Sequence, residues 1–361
     1  MYYLLVIGFL FYICAWCRPE QRKSVYVVSM FLLWIVIAFR GLRVSGTDGE
    51  IYQAWFKSAV PKLGDFEFNF LTFQKYIQPQ WGFAWLFTLL ASIAKSIADS
   101  YACFQIIYAT VTFALLYGIV EDLELTGRQK ALFMFVYLMQ QMTWFFCNLL
   151  RQNLANLLIW YALEHDFKKY ATAKKSVLFL LAILTHTSAI ICIAFVIALH
   201  FMPKFSLRTL IRVAIPVGII IYLGGSFFIP VILRFMATHI DTRYAMYIGT
   251  IETSNVINFL LRLVIMCFFY LMYDRVSAPK KERMMHMSIL CYLVGSINLS
   301  LAVRLLEYLA IGNYYGLAVV LPATKGKNCK VMAGIYLIVF VTIFVRYLYV
   351  NAPWLVNFSF L

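Results

Sequence analysis

The sequence predicts an all-α, polytopic integral membrane bundle of about 11–13 transmembrane helices, some broken or re-entrant. Three observations carry that prediction. Hydrophobic residues make up 63% of the 361, charged residues only 13%, and the mean hydropathy is +0.81. A soluble domain is about 45–50% apolar and about 25% charged, so no soluble core could hide this surface. The apolar runs are long and continuous, where a membrane barrel would alternate apolar and polar residues along each strand. Lys and Arg gather in short segments between the runs, which is how membrane orientation is set.

Taken in order, candidate spans lie near 2–16, 25–39, 81–98, 101–120, 130–147, 149–163, 176–200, 209–231, 255–273, 284–302, 303–322 and 331–349. The first lacks a basic leader and a small-residue cleavage site, so it reads as a retained helix. No repeat or soluble domain interrupts the chain, which reads as one transmembrane domain over 1–361. Arg18, Arg22 and Lys23 place the first loop on the cytoplasmic side. Arg275, Lys280, Lys281 and Arg283, then Lys325, Lys327 and Lys330, do the same further on. Segments 40–80 and 234–255 then fall outside as extracytoplasmic loops of the site. Lys168, Lys169, Lys174 and Lys175 also look cytoplasmic, yet five runs separate them from the first basic loop. An odd number of crossings cannot join two segments on one side. Either this lysine segment lies outside, against the charge rule, or two runs are re-entrant or broken; the second is favoured, with two candidates: 81–98, which follows Pro79 and holds Gly82 and Lys95, and 176–200, interrupted at Thr185–Ser188.

The net charge of +15 is accounted for by these topogenic clusters and not by a nucleic-acid surface. The eight Cys lie mainly inside apolar runs, and Cys14 and Cys17 read as packing residues. No Walker loop, HExxH or GxSxG is present.

Chemistry is expected where charge survives beside or within the apolar runs. The run 25–39 ends at Arg40; Arg43, Asp48, Glu50 and Tyr52 follow. Arginine forks suit phosphate oxygens. A carboxylate beside them can accept a proton from a hydroxyl nucleophile. Tyr52 shares a face with Asp48 if a helix starts there. The bland alternative is a solvated loop with a snorkelling Arg40. Asn148, Arg151, Gln152 and Asn153 form a second polar cluster, either a plain connection or a phosphate or sugar contact. His186 sits among Thr185, Thr187 and Ser188 within an apolar run, as a satisfied core residue or a site residue. Arg262 lies inside a span with no local acid. Arg304 and Glu307 share a helix face, as a structural ion pair or as part of a site. Arg243 lies in the second outer loop with Asp241 and Tyr244. Several arginines thus converge towards the outer surface, which suits a phosphate-bearing lipid. Asp48 and Glu50 form a D-x-E pair, thin ground for a divalent metal.

The chain resembles the EpsG/Wzy-type family of bacterial exopolysaccharide and O-antigen polymerases. The matching residues are Arg40 with Gly46, Thr47, Asp48 and Tyr52; Pro79 to Phe83; Arg151, Gln152, Leu154 and Ala155; and His186 to Ala189. Arg243–Tyr244 and Arg304 to Tyr308 match more loosely. No Glu precedes Pro79, a departure from the family pattern. The resemblance implies a GT-C-like glycosyltransferase of the bacterial inner (plasma) membrane that joins undecaprenyl-diphosphate-linked repeat units into capsule, O-antigen or other polysaccharide on the outer face. It implies Asp48 as general base, with His186 second. Arg40, Arg43, Arg151 and Arg304 would hold the leaving diphosphate, with Arg262 and Arg243 ranked lower. Tyr52, Gln152, Trp81 and Glu307 would contact sugar. No cofactor is required, and the partners are the lipid-linked oligosaccharide, the growing chain, the bilayer and a chain-length regulator, with no nucleic acid. The rival readings are a flippase of the same lipid-linked unit, a chain-to-lipid ligase, a polyprenyl-phosphate-sugar transferase, and more distantly an acyltransferase using His186.

Overall fold

The structure is a computed structural model that describes residues 2–41, 46–66, 85–142, 149–202, 205–239, 256–271, 279–297, 305–323 and 326–350. Among these the regular structure is helical, as the sequence predicts for a helical membrane protein. Three described stretches are long and apolar enough to cross a membrane: Pro19–Ala38, Tyr101–Asp122 and Leu207–Gly225. The chain forms two compact units, one of Met1–Ile190 with Thr324–Leu361, the other of Ile191–Ala323.

The first unit opens with α1 (Tyr2–Trp16) and α2 (Pro19–Ala38) as a tight hairpin, with Pro19 in the first turn where its missing N–H costs nothing. After α3 (Gly46–Ser58) and α4 (Trp85–Ile97) comes the 22-residue α5 (Tyr101–Asp122), started by Ser100, whose hydroxyl accepts from the Ala102 N–H. Thr126 and Gln129 form a capping box that starts α6 (Gly127–Tyr137), which runs on into a π-helical turn over Leu138–Met142. α7 (Leu150–Glu164) and α8 (Ala171–Thr185) make a second hairpin. α14 (Gly326–Val350) returns to this unit, where the Ala333 carbonyl accepts from Tyr12 and Phe340 meets Phe135 edge-on.

Contacts fix which end of the unit each helix starts from. Arg22 donates to the Cys17 carbonyl, Arg128 lies 3.9 Å over the Trp16 ring, and Gly127 faces the Arg22 stem. The α1–α2 and α5–α6 turns therefore share one basic end. His165 bonds Asp122 at 2.8 Å, which brings the α7–α8 connection to that end too. At the other end lie Arg40, Gln105 and Tyr52.

α4 bears on the crossing conflict in this unit. Trp85 at its start packs on Phe66, while Lys95 and Ser96 near its finish bind the α3 end and Leu63. Both ends of α4 thus stay beside segment 56–66, and α4 does not run through to the basic end. The break anticipated in 176–200 is also present. α8 stops at Thr185, His186 is extended, and Thr187–Ile191 forms a 3-10 turn.

The second unit contains α9 (Cys192–Phe201), α10 (Leu207–His239), α11 (Val256–Leu271), α12 (Pro279–Ser296) and α13 (Ile311–Ala323). α10 continues to His239, so Arg234 to His239 is helix and not loop, a correction to the boundary expected at 234. Arg212 at the start of α10 donates to the Tyr270 hydroxyl at the finish of α11, making these two antiparallel. α12 and α13 meet at Gly312. A Cβ there would lie 2.4 Å from the Met284 carbonyl oxygen and 2.6 Å from the Ser288 nitrogen. Backbone cannot swing aside as a side chain can. Gly312→Ala is expected to cost about 1–3 kcal/mol of overpacking strain. Gly334→Ala, with nothing within 4 Å of the new methyl, should be neutral. Thermal denaturation of the purified protein checks both.

Candidate functional site

α3 is an amphipathic helix laid against α4 and α5. Its buried positions Tyr52, Trp55 and Phe56 recur at helical spacing, while Glu50, Ile51, Ala54 and Lys57 stay exposed. Phe87 and Phe104 receive this face. Trp55 stacks on Phe87 at 5.6 Å and Phe56 on Phe104 at 5.8 Å, and Phe87 meets Phe104 edge-on at 5.5 Å. Such pairs add about 0.5–1.5 kcal/mol each beyond area burial. Lys95 then holds the helix finish, donating to the carbonyls of Phe56, Lys57 and Val60 at 2.9–3.1 Å. A cation there complements the negative end of the helix. Lys95→Met is expected to lower stability by about 1.5–3 kcal/mol, read by denaturation, because the lost bonds are charge-assisted.

This anchoring points the start of α3 at the start of α7. Tyr52 accepts hydrogen bonds from the Arg151 guanidinium and the Arg151 backbone N–H. α7 has no cap from the Leu149 side chain, so the phenol oxygen of Tyr52 satisfies one of the donors that a helix start leaves open. Burial pushes the Tyr52 phenol above its ordinary range; Arg151 pulls it down, and Asp48 adds to the rise. The phenol thus stays neutral at physiological pH. Its folded value exceeds the unfolded one, so this group's contribution to stability is present below about pH 10 and lost above it. Asp48 lies one turn before Tyr52, in the first turn of α3, where the helix dipole favours a carboxylate. Glu50 is exposed and two residues from Asp48, so the D-x-E pair diverges around the helix. Among the described residues no three His, Cys, Asp or Glu are placed to hold a metal.

Arg40 closes the other side. It is wholly buried, and one Nη donates to the Ile37 carbonyl at 2.6 Å. Its Nε and second Nη have no hydrogen-bond partner among the described residues. The Gln105 amide donates to the Arg40 carbonyl at 3.4 Å, and the Tyr101 hydroxyl lies within electrostatic reach of Arg40 and of Tyr52. Arginine does not deprotonate to escape burial. A buried ion without a partner costs several kcal/mol, so this guanidinium calls for an anion. Deeper in, Asn153 donates to the Tyr108 hydroxyl at 2.8 Å, and that hydroxyl donates to the Leu150 carbonyl.

Of the residues singled out in the sequence, the structure thus brings Asp48, Tyr52 and Arg151 together, and Tyr101 lies within electrostatic reach of both Tyr52 and Arg40. Gln152 is buried in the same first turn of α7. His186 caps α8, which the α7–α8 hairpin returns to the end where α7 begins. Arg262 and Glu307 belong to the second unit. One Arg262 donor goes to the Gly295 carbonyl of α12 at 3.0 Å, and the missing Cβ of Gly295 gives its guanidinium room. Glu307 is buried, and it and Arg262 both lie within electrostatic reach of Cys291. Arg43, Trp81, Arg243 and Arg304 lie outside the described residues.

Sequence reading missed Tyr101, Gln105 and Lys95. Tyr101 and Gln105 sit four apart on α5, a spacing that marks one helix face but looks like ordinary packing without Arg40 opposite.

A model of the EpsG family matches residues 23–361. The chain belongs to the EpsG family. No curated protein and no solved structure matches it. Membership makes this EpsG-family protein a membrane protein of polysaccharide biosynthesis.

Proposed function

We propose that this EpsG-family protein is a polysaccharide polymerase with a GT-C-like bundle of about 11–13 spans in the bacterial inner membrane. It transfers the growing chain from undecaprenyl diphosphate to a sugar hydroxyl of the next lipid-linked repeat unit, on the outer face. The observation that supports this reading is the Arg40 guanidinium, buried with two nitrogens unpartnered among the described residues, beside Tyr101, which is also within electrostatic reach of Tyr52, itself coupled to Arg151 and Asp48. Arg40 and Arg151 hold the diphosphate and stabilise its charge as it departs, and fixed charges of this kind are often the largest catalytic contribution. Asp48 takes the proton from the attacking hydroxyl. Diphosphate is a good leaving group, so the reaction needs no covalent intermediate. Arg43 and Arg304 add to the diphosphate seat and Trp81 to the sugar path; Arg243, Arg262 and Glu307 are subsidiary.

The test is the glycan profile of cells lacking the protein, compared with wild type and with Asp48→Ala. Polymerase predicts loss of the long ladder, with single repeat units still exported, in both mutant strains. Lipid-linked units trapped on the cytoplasmic side would instead mean a transporter.

A further inference from the structure

The corner around Arg40 offers more than positive charge. The Arg40 carbonyl can only accept, so the Gln105 amide must turn its NH2 towards it. That fixes the amide and leaves Gln105 Oε1 as an acceptor, wholly buried and with no partner among the described residues. The Tyr101 hydroxyl, 5% exposed on the preceding turn of the same face, is also unpartnered among the described residues. The corner therefore holds guanidinium N–H donors and a phenol beside one group that can only accept. A bare phosphate diester could satisfy the Arg40 donors and the phenol, but it carries no proton for Gln105. An unmet buried acceptor is costly, so the ligand must bring a donor as well as an anion.

We propose that Gln105 reads a hydrogen-bond donor on the sugar directly attached to the phosphate, so that the ligand of this corner is a glycosyl phosphate carrying a hydroxyl or acetamido N–H at the carbon next to the anomeric centre. Arg40 and Tyr101 take the phosphate oxygens, and Gln105 Oε1 accepts from the neighbouring sugar group. This rests on the diphosphate reading above and names the sugar position that the site inspects. Gln105 is a specificity residue here and takes no part in bond making.

The experiment measures binding to the full-length protein in lipid nanodiscs by calorimetry. The probes are inorganic pyrophosphate, α-glucose 1-phosphate and its 2-deoxy analogue. Wild type is expected to bind the glucosyl phosphate about tenfold more tightly than the 2-deoxy compound, since a site built to bond a hydroxyl rejects the analogue lacking it. Gln105→Leu should erase that ratio and keep pyrophosphate affinity, which also shows that the variant is folded. Equal wild-type affinity for the two sugars, or a ratio that survives Gln105→Leu, overturns the proposal. Loss of pyrophosphate binding in Gln105→Leu also overturns it, because Gln105 would then belong to the anion seat. Absence of binding of every probe to wild type would remove the diphosphate reading and this proposal together.

Discussion

Arg40→Met is expected to abolish polymer formation while making the protein more stable. The two effects have one cause. Arg40 is 0% exposed and leaves its Nε and one Nη without a partner among the described residues. In the empty protein that arrangement is a cost. Exchanging a buried charge for an apolar side chain of similar length is often neutral or stabilising by about 1–4 kcal/mol. Methionine is unbranched and adapts to the vacated volume. In the loaded protein the same guanidinium faces the diphosphate, and losing one such electrostatic contact costs about 10²–10³ in rate. The checks are a melting curve of the purified protein without ligand and a polymerisation assay with lipid-linked repeat units. A structural Arg40 would give the opposite melting result, a drop in stability with activity falling only as the fold does. Arg40→Lys separates charge from shape: an ammonium keeps the charge but cannot offer the planar fork, so it should restore little activity.

The helices were legible because each rests on local signals. Apolar runs longer than a soluble protein tolerates marked α2, α5 and α10, and the polar interruption at Thr185–Ser188 marked the end of α8. The crossing conflict was legible too, because counting basic segments needs no coordinates. The course of α4 was less so. That α4 keeps both ends beside segment 56–66 depends on Lys95 reaching carbonyls some 35 to 39 residues away, and nothing in the local sequence marks those carbonyls as its partners. The site shows the same division. Asp48 and Tyr52 were paired by helix spacing, and Arg40 was marked by its place at the end of an apolar run. The meeting of Tyr52 with Arg151 joins residues 99 apart (151 less 52), through aromatic packing that orients α3. Tyr101 and Gln105 read as ordinary residues of an apolar helix, and only the unpartnered groups around Arg40 single them out. Arg262 was the reverse case. An intramembrane arginine without a local acid invites a ligand, but the Gly295 carbonyl on a neighbouring helix already takes one of its donors.

Asp48→Asn is expected to lower the polymerisation rate by about 10²–10³ and to leave anion binding intact, as loss of a general base does. Asparagine keeps the size and the first-turn position in α3 and removes only the charge. The start of a helix favours the carboxylate by about 0.3–1 kcal/mol, so the stability change should stay within that range. Pyrophosphate affinity should hold because Arg40 and Arg151 are untouched. This pattern, a rate lost with binding kept, differs from what Arg40→Met should give, where the anion seat is removed and binding is lost along with the rate. The pair of variants therefore distinguishes a base from a charge that merely tunes Tyr52. If Asp48 acted only through Tyr52, then Tyr52→Phe would reproduce the whole loss. If it is the base, Tyr52→Phe should be the milder change, costing the cap on α7 and the orientation of Arg151 but leaving a carboxylate to take the proton. A rate for Asp48→Asn within threefold of wild type would move the role to His186, the other titratable side chain at that end of the α7–α8 hairpin singled out for it.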